Sequence, residues 1–499
     1  MHGFTHINNP LEIIYYLNAK KKFKNLLNKL SDKKILILGR NQKDIYEYID
    51  KDFEYNNGIL KYNNKEYEIS NILPGEVGLF EINKNERTPI ELKNIINHSS
   101  SRINSLCPYF ESCGGCQYQH MTYESELALK EEYLKNLYQS FKDIKIKPIN
   151  GMPSPYNYRN KCQMTYKLSK THNVVCGFYE EGTHKIVPVA DCKIQATKAT
   201  EIINAFNKVL TKNHIEPYNE KTRKGIVRHV LVRYGFNSKE ILLVIVTNGD
   251  FFPGSKNVCK DLIKLNLGIT TIVQNINSRQ TSIVLGDKER ILYGPGFIYD
   301  TIGKLKFKIS SRSFYQVNTI GMNMLYKKAI ENANISSSDI LLDTYCGVGT
   351  IGLLAANSCK QVYGVELNHD AYKDACLNAR INNIKNINFF NDDSTKFMTK
   401  LAASGSHIDV LIMDPPRDGS TNEFIEAVGR LKPKRIIYVS CDPKTQVRDL
   451  FKLSSEGYHL NQVEAFDMFP RTFNLECIAT LTYKESKKNI KNYTKRKSL

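Results

Sequence analysis

Residues 340–356 read ILLDTYCGVGTIGLLAA, an apolar run that meets an acid and passes through a glycine-rich turn into residues at helical spacing. This order predicts a buried parallel strand, a turn at Gly347 and Gly349, and then a helix. Backbone N–H groups at such a turn lie at the carboxyl end of the strand, where they can bind a polar cofactor. By itself the glycine spacing indicates only an α/β domain, because helix-on-strand packing also needs small residues.

Three later apolar runs each end at a polar or nucleophilic side chain. The run QVYGV ends at Glu366, about twenty residues beyond the turn, where a carboxylate can bind the ribose hydroxyls of an adenosine. VLIM ends at Asp414, which two prolines hold at the strand end. RIIYVS ends at Cys441. Because parallel strands end at one edge of a sheet, Cys441 is predicted to lie beside Asp414 and the glycine turn.

These stretches carry a resemblance to a known family. The segments DTYCGVGTIGLL, YGVELN, DPPRDG, YVSCDPKTQVRDL and MFPRTFNLE, preceded by SFYQVN, are similar to those of the S-adenosylmethionine-dependent RNA uracil carbon-5 methyltransferases, in order and spacing. The resemblance covers the chain beyond about Asp50. It implies an α/β, Rossmann-like class I methyltransferase domain at residues 311–483, the cofactor S-adenosylmethionine and an RNA substrate.

The same resemblance implies roles for individual residues. Cys441 would be the nucleophile and Glu476 the general base. The chain departs from the family at Asn474, where histidine is usual, and at Asp442, where asparagine is common. Asn474 cannot titrate, and the charge of Asp442 is expected to raise the pKa of Cys441. The implied cofactor contacts are Gln316, Tyr345, Thr350, Glu366 and Asp414, of which Asp414 could also hold the target base.

The reaction itself calls for a thiol and a carboxylate. Carbon 5 of uracil is a weak nucleophile, but a thiolate added at carbon 6 turns the ring into an enolate whose carbon 5 attacks readily. Cys441 precedes Asp-Pro at a predicted helix start, whose free N–H groups are expected to favour the thiolate. Glu476 would then remove the proton from carbon 5. Arg417 is a candidate for a phosphate contact, a support for the Asp414 loop or an ion-pair partner.

A cysteine triplet lies in CPYFESCGGC, residues 107–116. The two glycines permit the tight backbone curl that a metal site requires. Sulfur ligands suit zinc or an iron–sulfur cluster, and their spacing does not decide between the two. The segment resembles the iron–sulfur motif of the ribosomal-RNA branch, which implies a 4Fe-4S cluster and selects Cys192 over Cys162 and Cys176 as fourth ligand. The implied ligands are Cys107, Cys113, Cys116 and Cys192.

The chain outside the catalytic domain is predicted to contain four further segments. Alternation in GILKYNNKEYEI and LPGEVGLFEI predicts short strands, and LPGEV resembles the TRAM domain, an oligonucleotide-binding-type small β-barrel, at residues 52–95. Residues 96–310 are predicted to form a central α+β iron–sulfur and RNA-binding domain, with a hairpin around residues 235–239. Residues 1–51 are an extension without assigned role. Residues 484–499 form a tail with seven basic residues and one acidic residue.

The amino-acid composition indicates which kinds of partner the protein can bind. The 499 residues, 41% of them hydrophobic, predict a soluble globular chain of two or three domains. The net charge of +19 suits a polyanion such as RNA, although a lysine-rich composition can arise without one. No apolar run reaches the length of a membrane span, and the N-terminus does not resemble a signal peptide. Twelve cysteines then predict reduced thiols in the cytoplasm, and a monomer without an obligate protein partner is expected.

Three functional hypotheses follow. The first is methylation of carbon 5 of a uridine in 23S ribosomal RNA by an enzyme with an iron–sulfur cluster. The second is the same chemistry on uridine 54 of transfer RNA, against which the cysteine triplet argues, because the bacterial transfer-RNA branch lacks the cluster. The third is a non-catalytic iron–sulfur RNA-binding or redox-sensing protein, against which the joint presence of Cys441, Glu476 and Asp414 argues.

Overall fold

The computed structural model describes most of the chain beyond residue 89 and shorter pieces before it: residues 5–7, 13–15, 35–38, 57–62, 65–73, 76–82 and 90–484. Most of the predicted N-terminal extension, parts of the predicted β-barrel and the basic tail beyond Lys484 lie outside these residues. Among the described residues, no helix has the length and apolar character needed to cross a membrane.

The described residues fall into two compact units. The first contains those up to Glu111, together with residues 115–136 and 471–473. The second contains residues 112–114, 137–470 and the described residues from Asn474 onward. The domain limits proposed from the sequence stay predictions.

Short antiparallel strands and a helix make up the described part of the first unit. The elements are β1 (Thr5–Ile7), β2 (Ile13–Tyr15), β3 (Ile35–Leu38), β4 (Asn57–Tyr62), β5 (Lys65–Ser70), β6 (Val77–Ile82), β7 (Ile90–Asn97) and α1 (Tyr123–Leu137). β4 pairs with β5, and β3, β6 and β7 form a sheet in that order. The strands predicted from the alternating pattern are therefore confirmed, whereas the TRAM barrel stays a prediction.

A seven-stranded sheet dominates the central part of the second unit. The elements are β8 (Lys145–Ile146), β9 (Lys161–Leu168), β10 (Val174–Tyr179), β11 (Ile186–Pro188), α2 (Thr197–Lys212), β12 (Val227–Tyr234), β13 (Ile241–Thr247), α3 (Ser255–Lys264), β14 (Thr271–Ile276), β15 (Lys288–Tyr293), β16 (Phe297–Ile302) and β17 (Leu305–Ser310). The sheet order is β11-β10-β9-β12-β13-β14-β15, and β16 pairs with β17. The predicted hairpin is confirmed, because β12 and β13 pair antiparallel.

The remainder of the second unit alternates strands and helices. The elements are α4 (Thr319–Ala333), β18 (Ile340–Thr344), α5 (Thr350–Ala355), a 3₁₀ turn (Ala356–Ser358), β19 (Gln361–Val365), α6 (His369–Ile381), β20 (Ile387–Phe390), α7 (Ser394–Ala403), β21 (Val410–Met413), α8 (Asn422–Leu431), β22 (Arg435–Ser440), α9 (Pro443–Ser455), β23 (Tyr458–Phe466) and β24 (Glu476–Tyr483). Short polar residues begin most of these helices, because their side chains accept hydrogen bonds from exposed N–H groups of the first turn, as Asn368 and Asp393 do.

These strands form an eight-stranded sheet in the order β20-β19-β18-β21-β22-β24-β23-β8. β18 pairs in parallel with β19 on one side and with β21 on the other, so the chain reverses its direction of travel across the sheet at β18. Such a switch point opens a crevice at the carboxyl ends of the strands, where ligands bind in open α/β sheets. The predicted α/β fold, with its strand, glycine turn and helix at residues 340–356, is confirmed.

Candidate active site

A cleft of about 490 Å³ lies at the carboxyl ends of β18, β19, β21 and β22. All seven residues predicted to act in catalysis or to contact the cofactor line it: Gln316, Tyr345, Thr350, Glu366, Asp414, Cys441 and Glu476. Five of them directly follow a parallel strand or the glycine turn: Tyr345, Thr350, Glu366, Asp414 and Cys441. The structure therefore brings together residues that the sequence separates by up to 160 positions, from Gln316 to Glu476.

Backbone N–H groups of the glycine turn and of Asn368 hold the Glu366 carboxylate in place. The Gly347 N–H donates to Glu366 Oε2 at 2.8 Å, and the Asn368 N–H donates to Oε1 at 2.6 Å. Gly347 and Gly349 have φ values of 56° and 81°, a region that side-chain-bearing residues rarely adopt. Because each carboxylate oxygen has more than one lone pair, Glu366 can still accept two further hydrogen bonds. This geometry suits the two hydroxyls of a ribose.

Asp343 contributes a buried carboxyl at the base of the cleft. Its Oδ2 accepts a hydrogen bond from the Gly352 N–H at 2.8 Å, while its buried Oδ1 has no partner. Burial raises the pKa of Asp343 to about 8, and the nearby charges of Asp414 and Glu366 act in the same direction. A cationic or N–H-bearing ligand group would satisfy this oxygen, because an unpaired buried acceptor is energetically costly.

Asp414 and Glu476 place two further carboxyls in the cleft, of which Glu476 is buried and Asp414 is partly buried. Burial raises the pKa of Asp414 to about 7. Burial and the charge of Asp414 raise the pKa of Glu476 well above its usual range, against the influence of Arg417. Glu476 Oε2 is also buried without a hydrogen-bond partner. Two close carboxyls resist simultaneous ionisation, so one of them is poised to accept a proton near neutral pH.

The register of the antiparallel strands brings Glu476 next to Cys441. β22 pairs with β24 so that Ser440 lies opposite Cys477. The next positions in this register are Cys441, directly after β22, and Glu476, the first residue of β24. The thiol and the carboxyl therefore share one corner of the cleft.

The expectation that the helix start favours the Cys441 thiolate is wrong. Burial raises the pKa of Cys441 to about 11, and the charges of Glu476 and Asp414 contribute to the rise. The contribution that was expected from the charge of Asp442 stays a prediction. The Asp442 carboxylate caps α9 by accepting a hydrogen bond from the Thr445 N–H at 3.1 Å.

Arg417 opposes this rise and is held in place by Asn474. The Arg417 guanidinium hydrogen-bonds the Cys441 thiol and lowers its pKa through its charge. Arg417 Nη2 also donates to Asn474 Oδ1 at 3.2 Å. The asparagine that replaces the usual histidine thus accepts a hydrogen bond from the cation that faces the thiol.

We expect the alkylation of Cys441 by iodoacetamide to depend on these charges. With a pKa of about 11, its rate should rise about tenfold per pH unit up to that value, because the thiolate is the reacting form. At about pH 9, Arg417→Gln should slow the reaction and Glu476→Gln should accelerate it. Mass spectrometry of the Cys441 peptide gives the rate, and the Cys376 peptide serves as an internal reference. Equal rates in all three proteins would contradict the charge assignment.

Several residues of the cleft received no role from the sequence. Phe314, Tyr326 and Phe469 all line it, and the Tyr326 hydroxyl hydrogen-bonds the side chain of Gln316. Phe314 and Phe469 fall within the segments SFYQVN and MFPRTFNLE, which is the signal that could have identified them. Cys346, next to Tyr345, is buried and also lines the cleft.

The predicted metal ligands are not confirmed. Cys107, Cys113 and Cys116 are partly exposed and Cys192 is buried. Within the described part of the chain, no group of three or more His, Cys, Asp or Glu residues is placed to hold a metal ion. The amide of Gln119 donates to Cys116 Sγ at 3.5 Å. The four-cysteine set therefore stays a prediction of the sequence.

Comparisons with known proteins agree with this fold. Residues 275–484 match the family model described as tRNA (uracil-5-)-methyltransferase. An uncharacterized RNA methyltransferase from Oceanobacillus iheyensis is 38% identical over 454 residues, which are 89% of this chain and 98% of the relative. Another from Halalkalibacterium halodurans is 37% identical over 451 residues, with coverage of 89% and 98%.

One solved structure shares the fold across most of the chain. The Pyrococcus abyssi tRNA (uracil-54, C5)-methyltransferase, in complex with S-adenosyl-L-homocysteine, aligns with a TM-score of 0.69 at 24% identity. The alignment covers 85% of this chain and 97% of that one. Fold and cleft define a class I S-adenosylmethionine-dependent methyltransferase. The chain belongs to the tRNA (uracil-5-)-methyltransferase family and is an RNA methyltransferase that uses S-adenosylmethionine.

Proposed function

We propose that this enzyme methylates carbon 5 of a specific uridine in 23S ribosomal RNA through a covalent adduct with Cys441. The observation that carries the chemical part is that one cleft holds the Cys441 thiol, the buried Glu476 carboxyl and the glycine turn with Glu366. The preference for ribosomal RNA rests on the cysteine triplet at residues 107–116, which resembles the ribosomal-RNA branch.

The polar groups of the cleft fit S-adenosylmethionine. Glu366, fixed by two backbone N–H groups, would accept hydrogen bonds from the ribose hydroxyls. The unpartnered Oδ1 of Asp343 offers an acceptor to the ammonium group of the methionyl part. Gln316, Tyr345 and Thr350 would complete the contacts along the wall. When bound, S-adenosylmethionine supplies an electrophilic methyl group.

In the first step, the sulfur of Cys441 adds to carbon 6 of the uracil. The thiol proton leaves to solvent, and the Arg417 guanidinium stabilises the thiolate that forms. The new carbon–sulfur bond pushes the electron pair of the carbon 5–carbon 6 double bond onto the carbonyl at carbon 4 as an enolate. Collapse of the enolate lets carbon 5 take up the methyl group, and the electron pair of the broken sulfur–methyl bond would stay on the departing S-adenosyl-L-homocysteine.

In the second step, Glu476 removes the proton from carbon 5. The electron pair of that carbon–hydrogen bond restores the carbon 5–carbon 6 double bond and expels the Cys441 thiolate. The proton on Glu476 then returns to the thiolate, so each cycle releases one proton in total. The raised pKa of Glu476 suits a base that must accept a proton from carbon.

The target uridine must leave its base stack to reach this cleft. A base inside a rigid duplex cannot present carbon 6 to a thiol, so the substrate is expected to be a loop or a helix that rearranges. Pro415 and Pro416 hold the Asp414 loop beside the thiol, where the Asp414 carboxyl can hydrogen-bond the extruded base.

We expect Glu366→Ala to weaken binding of S-adenosyl-L-homocysteine by roughly 10- to 100-fold, the scale of losing hydrogen bonds to a charged group. Glu366→Gln should lose less affinity for S-adenosyl-L-homocysteine, because the glutamine amide keeps one acceptor oxygen. Isothermal titration calorimetry measures both affinities. The control Glu423→Gln removes a carboxylate from the exposed start of α8. Unchanged affinity in Glu366→Ala would contradict the ribose contact.

The RNA target can be tested by mapping 5-methyluridine in cells. Deletion of the gene should remove the methyl group from a site in 23S ribosomal RNA and leave transfer RNA unchanged, as read by mass spectrometry of RNA fragments. The second candidate, uridine 54 of transfer RNA, is favoured by the description of the matching family model. Loss of the methyl group from transfer RNA alone would support it and overturn the ribosomal assignment.

We also propose that Cys107, Cys113, Cys116 and Cys192 bind a 4Fe-4S cluster. The support is three thiols within ten residues, a Gly114 that lies against Glu181 too closely to admit a side chain easily, and the amide donor at Cys116. Anaerobically purified protein should contain iron and acid-labile sulfide and absorb broadly in visible light. Cys116→Ser should lower the iron content, and Cys376→Ser should not. Zinc in place of iron would overturn the cluster.

A further inference from the structure

A second cavity, of about 520 Å³, lies on the central seven-stranded sheet. Residues of β9, β10, β12 and three neighbouring loops line it, and it shares no lining residue with the methyl-transfer cleft. Its wall combines aromatic rings, guanidinium groups and amides. These groups belong to Gln163, Tyr179, Tyr218, Arg223, Arg228 and Gln280.

Arg228 is a rigidly held cation in this wall. Its Nη1 donates to the carbonyl oxygens of Asn277 and Arg279, each at 2.7 Å. The guanidinium carbon lies 5.0 Å from the centre of the Tyr218 ring. No carboxylate of the described residues forms a salt bridge with Arg228, although the side chain is only 6% exposed. Such a fixed and uncompensated charge attracts an anion.

The other polar groups of the wall suit an uncharged ring better than a second anion. His229 Nδ1 lies 3.1 Å from Thr165 Oγ1, and burial lowers the pKa of His229 to about 4, so the ring is neutral near pH 7. Gln163 and Gln280 present amides that can both donate and accept hydrogen bonds. Tyr179 adds an aromatic ring. Aromatic rings, amides and arginine together are how proteins bind unpaired bases.

Strand β9 connects the two cavities. Arg159, just before β9, lines the methyl-transfer cleft, whereas Gln163 and Thr165 line the second cavity. Alternate residues of a strand point to one face, so Gln163 and Thr165 project together. At ~3.3 Å per residue they lie roughly 13 and 20 Å along the chain from Arg159. This separation is within the length that a few nucleotides of one RNA strand can span.

We propose that this second cavity binds an unpaired nucleotide of the substrate RNA, close in sequence to the methylated uridine. The base would lie against the aromatic wall of Tyr179 and Tyr218. Its phosphate would face Arg228 and the exposed Arg223, while Glu220 is the one carboxylate among the described lining residues. The proposal rests on RNA as the substrate, not on the role of Cys441, so binding measurements test it separately from catalysis.

The first test compares the affinity of variants for a labelled single-stranded RNA of random sequence and for a duplex of equal length, by fluorescence anisotropy. Tyr218→Ala should raise the Kd for the single strand by about tenfold or more, the scale of losing one base–aromatic contact. Tyr218→Phe keeps the ring and should bind nearly as the parent does. Arg223→Ala should weaken RNA binding more than Lys208→Ala does. The second change removes an equal charge from an exposed position of α2.

The second test maps contacts directly on the unaltered protein. Irradiation with single-stranded RNA containing 5-iodouridine should crosslink peptides that carry Tyr179 or Tyr218, with or without the Cys441→Ala change. Affinity for S-adenosyl-L-homocysteine reports whether each variant is folded. If Tyr218→Ala does not fold, Arg223→Ala and the crosslinks decide. Crosslinks confined to peptides outside the cavity would overturn the proposal. So would losses of RNA affinity in Tyr218→Ala and Arg223→Ala that are no greater than the loss in Lys208→Ala.

Discussion

Replacement of Cys441 by alanine is expected to reduce methyl transfer to RNA by roughly 10⁴-fold or more, the scale seen when an enzyme loses its nucleophile. Without the sulfur atom, carbon 6 receives no adduct and carbon 5 remains too weak a nucleophile to take the methyl group. The transfer of a radiolabelled methyl group from S-adenosylmethionine to RNA measures the loss. The variant should still bind S-adenosyl-L-homocysteine, because Glu366 and the glycine turn are unchanged.

Cys376→Ala is the matched control for this prediction. Cys376 is a partly exposed thiol on α6 that does not line the cleft, so its loss should leave the rate close to that of the parent. Retention of more than about a tenth of the activity by Cys441→Ala would contradict the covalent route, since a lost nucleophile costs far more. A non-catalytic RNA-binding protein would give no methyl transfer with either variant or with the parent.

The positions of Glu366, Asp414 and Cys441 could be predicted because one rule governs all three. Each follows a parallel strand of the same sheet, and parallel strands end at one edge. Apolar runs identify such strands in sequence, and the residue after each run then marks the edge. The glycine turn belongs to the same edge. The prediction of this part of the cleft therefore required no knowledge of side-chain packing.

Glu476 could not be placed by that rule. It begins β24, which runs antiparallel to β22, so its neighbours depend on a register that the apolar pattern does not specify. Only the resemblance to the family pointed to it. The register that pairs Ser440 with Cys477 supplies the missing physical reason.

The pKa shifts in the cleft could not be predicted from the sequence. The raised pKa of Cys441 follows chiefly from burial, which a local motif does not reveal. The helix start predicted the opposite sign. Arg417 and Asn474 lie 57 positions apart, and nothing in either segment indicates that they are hydrogen-bonded. The second cavity likewise arises from three strands and three loops that only the folded sheet brings together.

Glu476→Gln is expected to lower turnover by roughly 10²- to 10⁴-fold, the usual contribution of a general base, while the covalent adduct accumulates. The amide cannot accept the proton from carbon 5, so the methylated ring stays bonded to Cys441. A protein–RNA complex that survives a denaturing gel would reveal it. The double variant Cys441→Ala and Glu476→Gln should form no such complex.

Asp414→Asn distinguishes the role of Asp414 from that of Glu476, because asparagine has nearly the same shape as aspartate but cannot accept a proton as a carboxylate does. If Asp414 positions the target base, this variant should form little adduct, whereas Glu476→Gln should form it and fail to resolve it. Accumulation of the adduct in Asp414→Asn, with normal turnover in Glu476→Gln, would transfer the role of base to Asp414. The raised pKa of both groups makes either one chemically able to accept the proton, so only the trapped adduct tells them apart.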